Sequence, residues 1–153
     1  MMRRTALART ALALVPLVGV LAGCGTEHPT ASELEAVPGA MSSYPRSVAV
    51  GGHAAREGEH TLWSSSPATI RGTFCTAASQ QEVARWFASN LKRDGWNAEP
   101  NPVGTSDTDV VATHEWHRGR RVFTLRLMSQ AYVGRLSVAH GLTCASSYRI
   151  FVQ

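Results

Sequence analysis

The sequence predicts an α+β domain, an antiparallel sheet of about four or five strands with one main amphipathic helix packed on one face. Three observations lead there: a helix-period apolar stripe between two capping signals at Gln80–Arg93, a pair of alternating runs on either side of Gly119, and a last alternating run near the end of the chain. The 153 residues suit one domain with a short extension, and 44% hydrophobic against 17% charged content excludes a wholly disordered chain. Beyond the first two dozen positions no apolar run is long enough to cross a bilayer, which excludes a polytopic membrane protein.

Residues 25–46 (GTEHPTASELEAVPGAMSSYPR) read as a flexible tether, punctuated by Pro29, Pro38 and Pro45. Thr30 and Glu33 have capping-box spacing, so a short helix over 31–37 is open to it. As free chain, about 20 residues give an end-to-end distance near ~25 Å. The folded domain is expected over 47–153. A short strand over 47–50, a loop over 51–59 and strand-like runs at 61–63 and 69–75 come first, the last two separated by Ser64-Ser65-Ser66-Pro67.

The helix over Gln80–Arg93 is the clearest element. Ser79 and Glu82 form a second capping box, and Val83, Trp86, Phe87 and Leu91 make one apolar stripe. Gly95 sits where a left-handed C-terminal cap belongs, and Trp96 can fold back on the last turn. Burying Trp86 and Phe87 should contribute about 2–3 kcal/mol each.

Next comes a hairpin of 109–117 with 120–128 around Arg118-Gly119, with residue 117 set opposite 120. Val110, Ala112, His114 and Trp116 then share a face with Leu127, Leu125, Phe123 and Arg121, and Arg121 would stack on Trp116. The other face carries Val111, Thr113, Glu115 and His117 with Arg126, Thr124, Val122 and Arg120; one side is apolar and the other wet. Residues 129–143 read either as a long loop, where function tends to sit, or as a further strand at 136–138. A final strand over 147–152 alternates Tyr148, Ile150 and Val152 with Arg149 and Phe151.

Residues 1–23 have the layout of a signal peptide. Arg3, Arg4 and Arg9 form a basic region, and a stretch too short to span a bilayer follows it. Nothing after Arg3-Arg4 continues a twin-arginine motif, so the general secretory route is preferred. Leu21-Ala22-Gly23-Cys24 resembles the bacterial lipobox at all four positions. The resemblance implies cleavage before Cys24 and acylation of its sulfur, making residues 24–46 a lipidated N-terminus and tether. Two acyl chains anchor stably where one does not. The Ala/Arg/Gly bias, with Lys92 the only lysine, is similar to small membrane-anchored lipoproteins of actinobacteria. The implied location is the extracytoplasmic face of the cell membrane, with membrane lipid as partner through Cys24.

Lipidation of Cys24 leaves Cys75 and Cys144. An exported chain meets oxidising conditions and the pair lacks C-x-x-C spacing, so a disulfide is preferred over a metal or redox pair. The leader's three arginines account for most of the net charge of +4, leaving +1 on the mature chain. Export and this small charge argue against nucleic acid as partner. Residues 101–153 nevertheless hold six arginines against Asp107, Asp109 and Glu115, which could meet an anionic surface or simply be solvated.

No catalytic signature stands out. His114-Glu115-Trp116-His117 is one residue short of the zinc-protease motif, and on a strand its two histidines point to opposite faces. His53 and His60 flank an acidic loop without ligand-like spacing, and Ser64-Ser65-Ser66 lacks a nucleophile elbow. No cofactor or metal is expected. The functional expectation is a non-enzymatic binding or accessory module of the cell envelope, touching an envelope protein or anionic wall polymer through Glu115, Arg120 and Arg126, or through Tyr132 and Arg135. The alternative is a small envelope or cell-wall hydrolase.

Overall fold

The computed structural model describes residues 28–59, 61, 64–101 and 103–153. The chain runs through α1 (Ala31–Glu35), β1 (Val48–Arg56), β2 (Thr69–Thr76), α2 (Gln80–Arg93), β3 (Asn97–Ala98), β4 (Val110–Arg118), β5 (Arg121–Met128), α3 (Gln130–His140) and β6 (Ser146–Val152). Among the described residues the fold is α+β as expected, but its antiparallel sheet has six strands and not four or five, in the order β1-β2-β6-β5-β4-β3. None of the helices among the described residues is long and apolar enough to cross a membrane.

Pleating sends alternate residues to the two faces. On the inner face, Ile70, Phe74, Phe123, Leu125, Tyr148, Ile150 and Val152 form one core with Val83, Phe87 and Leu91 of α2. Phe87 and Phe123 are completely buried, worth about 2–3 kcal/mol each. Trp86 differs from the expectation: it is half-buried, standing edge-on to Phe87 and Tyr44 at the rim of the core. Both ends of α2 form as anticipated. Ser79 accepts from the Glu82 amide while Glu82 accepts from the Ser79 amide, and Gly95 takes a φ of +83° that turns the Trp96 amide back to the Leu91 carbonyl.

Four further sequence expectations are corrected. The described part of the presumed tether, residues 28–46, is packed against the domain: Leu34 and Ala40 are fully buried, Trp96 Nε1 donates to the Pro38 carbonyl at 2.7 Å, and the Tyr44 amide donates to the Tyr148 hydroxyl at 2.8 Å. The Thr30–Glu33 capping box does form, and one leucine on a one-turn helix suffices to close that corner of the core. The folded unit therefore begins well before residue 47.

The expected loop over 51–59 is for the most part strand. Gly51 and Gly52, at φ +78° and +93°, make an irregularity between Val50 and His53, after which β1 continues to pair with β2 as far as Arg56. Glycine signalled a break where the chain uses it to kink a strand. The run at 61–63 falls largely outside the described residues, and Thr61 belongs to no strand.

The hairpin register is two residues off the expectation. Arg118 faces Arg121 across a Gly119-Arg120 turn, so Trp116 lies opposite Phe123 and not Arg121. A slip of two preserves the faces, and the hydrophobic pattern specifies only the faces. Finally, residues 129–143 hold a helix, α3, neither loop nor strand. Ser129 caps its start and Gly141 its end. It lies on the outer face, where Tyr132 and Leu136 pack with Val50, Cys75, Leu142 and Cys144.

The disulfide joins Cys75 to Cys144 with Cα atoms 5.4 Å apart. It ties the end of β2 to the approach to β6, closing a loop with a sequence separation of 69. In the chain-entropy picture, a loop of that size contributes about 4 kcal/mol.

Candidate functional site

The outer face is where the polar residues of the strands collect. α3 and the disulfide cover the end of it near Val50 and Cys75. On the remainder, the pairing aligns two rows across the sheet. One runs Thr73, Arg149, Arg126, Thr113; the other runs Arg71, Phe151, Thr124, Glu115. Arginines from three adjacent strands, β2, β6 and β5, thus stand on one surface.

Aromatic rings hold these guanidiniums in place. Arg126 lies 5.0 Å and Arg71 5.9 Å from the centre of the Phe151 ring. Arg149 lies 4.7 Å from the centre of the Tyr132 ring and donates to its hydroxyl at 2.9 Å. Such contacts orient a guanidinium plane while leaving donors on its edge. Arg126 and Arg149 are direct cross-strand partners, a like-charge juxtaposition that is unfavourable in a sheet. Among the described residues, no carboxylate forms an ion pair with Arg71, Arg126 or Arg149. Among the described residues Arg135 pairs with Asp109 at 2.6 Å, and His117 Nε2 lies 3.6 Å from Glu99. Arg126 Nε and its cross-strand neighbour Thr113 Oγ1 are both buried without a hydrogen-bond partner.

A groove of about 320 Å³ continues this surface toward β1, lined by Gly51, Gly52, Arg56, Arg71, Arg149 and Phe151 among others. A Cβ placed on Gly51 or Gly52 would meet nothing within 4 Å, so the groove is open on that side.

Of the residues singled out in the sequence, Glu115, Arg126 and Tyr132 come together here. Glu115 accepts from the Thr124 hydroxyl at 3.2 Å. Arg135, on α3, is tied to Asp109 at 2.6 Å and lies 5.8 Å from the Tyr132 ring centre. Arg120 does not join them: it sits in the hairpin turn, outside the ladder, because the register places Arg118 opposite Arg121. Leu21, Ala22, Gly23 and Cys24 lie outside the described residues. Arg71, Arg149 and Phe151 were missed as site residues. The alternation of Arg149 and Phe151 with Tyr148, Ile150 and Val152 placed them on the wet face, but only the insertion of β6 between β2 and β5 sets them beside Arg71 and Arg126.

Histidine chemistry is dispersed. His53, on β1, stacks edge-on against Phe74, and burial lowers its pKa from the ordinary 6.5. His114 lies against Trp116 with ring centres 6.0 Å apart, and partial desolvation lowers its pKa too. A groove of about 190 Å³ beside β4 brings His114 near Glu99 and Glu115, but His114 hydrogen-bonds to neither carboxylate. Among the described residues, no three His, Cys, Asp or Glu side chains are grouped to hold a metal. The sequence matches no protein-family model and no curated protein, and the fold matches no solved structure.

Proposed function

We propose that the protein is a membrane-anchored, extracytoplasmic lipoprotein, held to lipid through acylated Cys24, that acts as a non-enzymatic binding module of the cell envelope. Its contact surface is the outer sheet face around Arg71, Arg126, Arg149 and Phe151. The observation supporting this surface is that three guanidiniums set against aromatic rings share a face without a carboxylate partner among the described residues. The rings fix the guanidiniums, but Arg126 and Arg149 set opposite each other repel, a cost that an anionic partner would offset.

Two measurements test it. Intact mass of the membrane fraction should show a chain beginning at acylated Cys24, and Cys24→Ala should leave uncut precursor; a free, unmodified form in the medium would contradict the anchor. Detergent-solubilised wild-type protein should sediment with isolated cell envelopes, and the Arg126→Glu/Arg149→Glu double variant should remain in the supernatant. Equal sedimentation of the two would remove this face from consideration.

A further inference from the structure

We infer that the outer face is a receptor for phosphoryl oxyanions, and that its occupant is an extended phosphodiester-linked chain. This rests on the reading of that face as the binding surface and assigns its ligand chemistry.

The argument begins with Arg126 and Arg149, set directly opposite each other on β5 and β6. Cβ atoms of such partners are about 4.5–5.5 Å apart, so one bound anion can touch both guanidiniums and reverse the sign of their interaction. A carboxylate presents two oxygens in one plane and matches a single guanidinium fork. A phosphodiester is tetrahedral, so its two charged oxygens and its two ester oxygens do not share one plane and can be met by donors from neighbouring strands.

Extent argues for a chain in place of a single ion. Arg71, Arg149 and Arg126 occupy three consecutive strands, and strands lie about 4.8 Å apart, so the cations span about 10 Å across the sheet. The groove beside Gly51 and Gly52 prolongs this track toward the sheet edge and adds Arg56. The rings of Phe151 and Tyr132 already hold the guanidiniums, so little side-chain freedom is lost on binding. Glu115, at the end of the second row and diagonal to Arg126, accepts from Thr124 and forms no ion pair with Arg126.

The test is calorimetric titration of the detergent-solubilised full protein at constant ionic strength with four probes: inorganic phosphate, poly(glycerol phosphate), polyglutamate of matched length, and phosphatidylglycerol vesicles. Poly(glycerol phosphate) should bind most tightly, inorganic phosphate weakly at the same face, and polyglutamate more weakly than the phosphodiester polymer. Arg126→Gln, Arg149→Gln and Arg71→Gln should each weaken polymer binding, about ten- to a hundredfold for the first two. Melting temperatures of the three variants, each expected to stay far above the assay temperature, separate lost binding from lost folding, since Arg149→Gln removes a like-charge neighbour of Arg126 as well as a contact to Tyr132. Polyglutamate binding as tightly as the phosphate polymer would overturn the phosphoryl assignment, and vesicle binding tighter than polymer binding that Arg126→Gln and Arg149→Gln weaken, beyond what the Cys24 acyl chains alone provide, would overturn the choice of a polymer. Affinity unchanged in all three variants would overturn the site. Should envelope sedimentation still depend on Arg126 and Arg149 in either of the first two cases, the binding surface stands and only its ligand class falls.

Discussion

The inner and outer faces of the sheet are made from alternate residues of the same strands, and the strands serve them in opposite ways. On β6, Tyr148, Ile150 and Val152 are fully buried under α2, while Arg149 and Phe151 between them stay partly exposed. The inner face is closed by interlocking rings: Phe74 stacks on Tyr148 at 4.9 Å, and Phe87 meets both Tyr148 and Phe123. The outer face uses its rings differently, as platforms for cations that have no counter-ion among the described residues. The difference teaches how to separate folding from binding here. Damage to one face should be read in stability and damage to the other in ligand capture.

The largest expected effect lies on the inner side. Phe123→Ala removes a fully buried ring at the centre of the sheet and should cost about 3–5 kcal/mol in urea unfolding. Arg126→Gln, three residues along the same strand, should cost far less; equal losses would break the proposed division of labour. Next is the disulfide, which serves the outer layer by tying β2 to the approach to β6. Cys75→Ser with Cys144→Ser should lower stability by about 2–4 kcal/mol, and alkylation of the unreduced mature protein should label neither cysteine. Labelling of both thiols would remove the staple from the account.

The smallest effect is a pH dependence that sharpens the contrast, since arginines stay charged throughout while His53 does not. Burial against Phe74 lowers the folded-state pKa of His53, so between that value and the ordinary 6.5 the unfolded chain binds more protons than the folded one. The stabilisation is complete above pH 6.5 and is lost as pH falls toward the folded-state value. His114 shifts in the same direction. Urea midpoints should therefore drop between pH 7.5 and pH 5.5, and His53→Asn should flatten that drop; an unaltered slope would show that His53 is not its source.

Much of this was written locally. The α2 stripe and both of its ends follow from residues within one segment, as does the assignment of each hairpin residue to an apolar or wet side, because side-chain direction depends only on backbone period. Register was not legible to the same depth. A shift of two residues keeps every side chain on its face, so pattern alone leaves the choice between 117 opposite 120 and 118 opposite 121 undecided. The helix over Gln130–His140 escaped because Ser129 lacks a capping-box glutamate and Gly134 interrupts the interior, leaving tertiary contacts with Val50 and the disulfide to hold it. Residues 28–46 looked like linker because they carry prolines and few apolar side chains. Yet one buried leucine and hydrogen bonds at Pro38 and Tyr44 are enough to dock them.

The sequence by itself determined the fold class, the main helix and its caps and the two faces of the sheet, since each depends on short-range periodicity, while the pairing of its last two cysteines was what the lipobox resemblance implied by setting Cys24 aside. Only the tertiary structure decided that β6 lies between β2 and β5. Strand order depends on contacts between residues far apart in the chain, which no local pattern encodes, and that order alone places Arg71, Arg149 and Arg126 side by side.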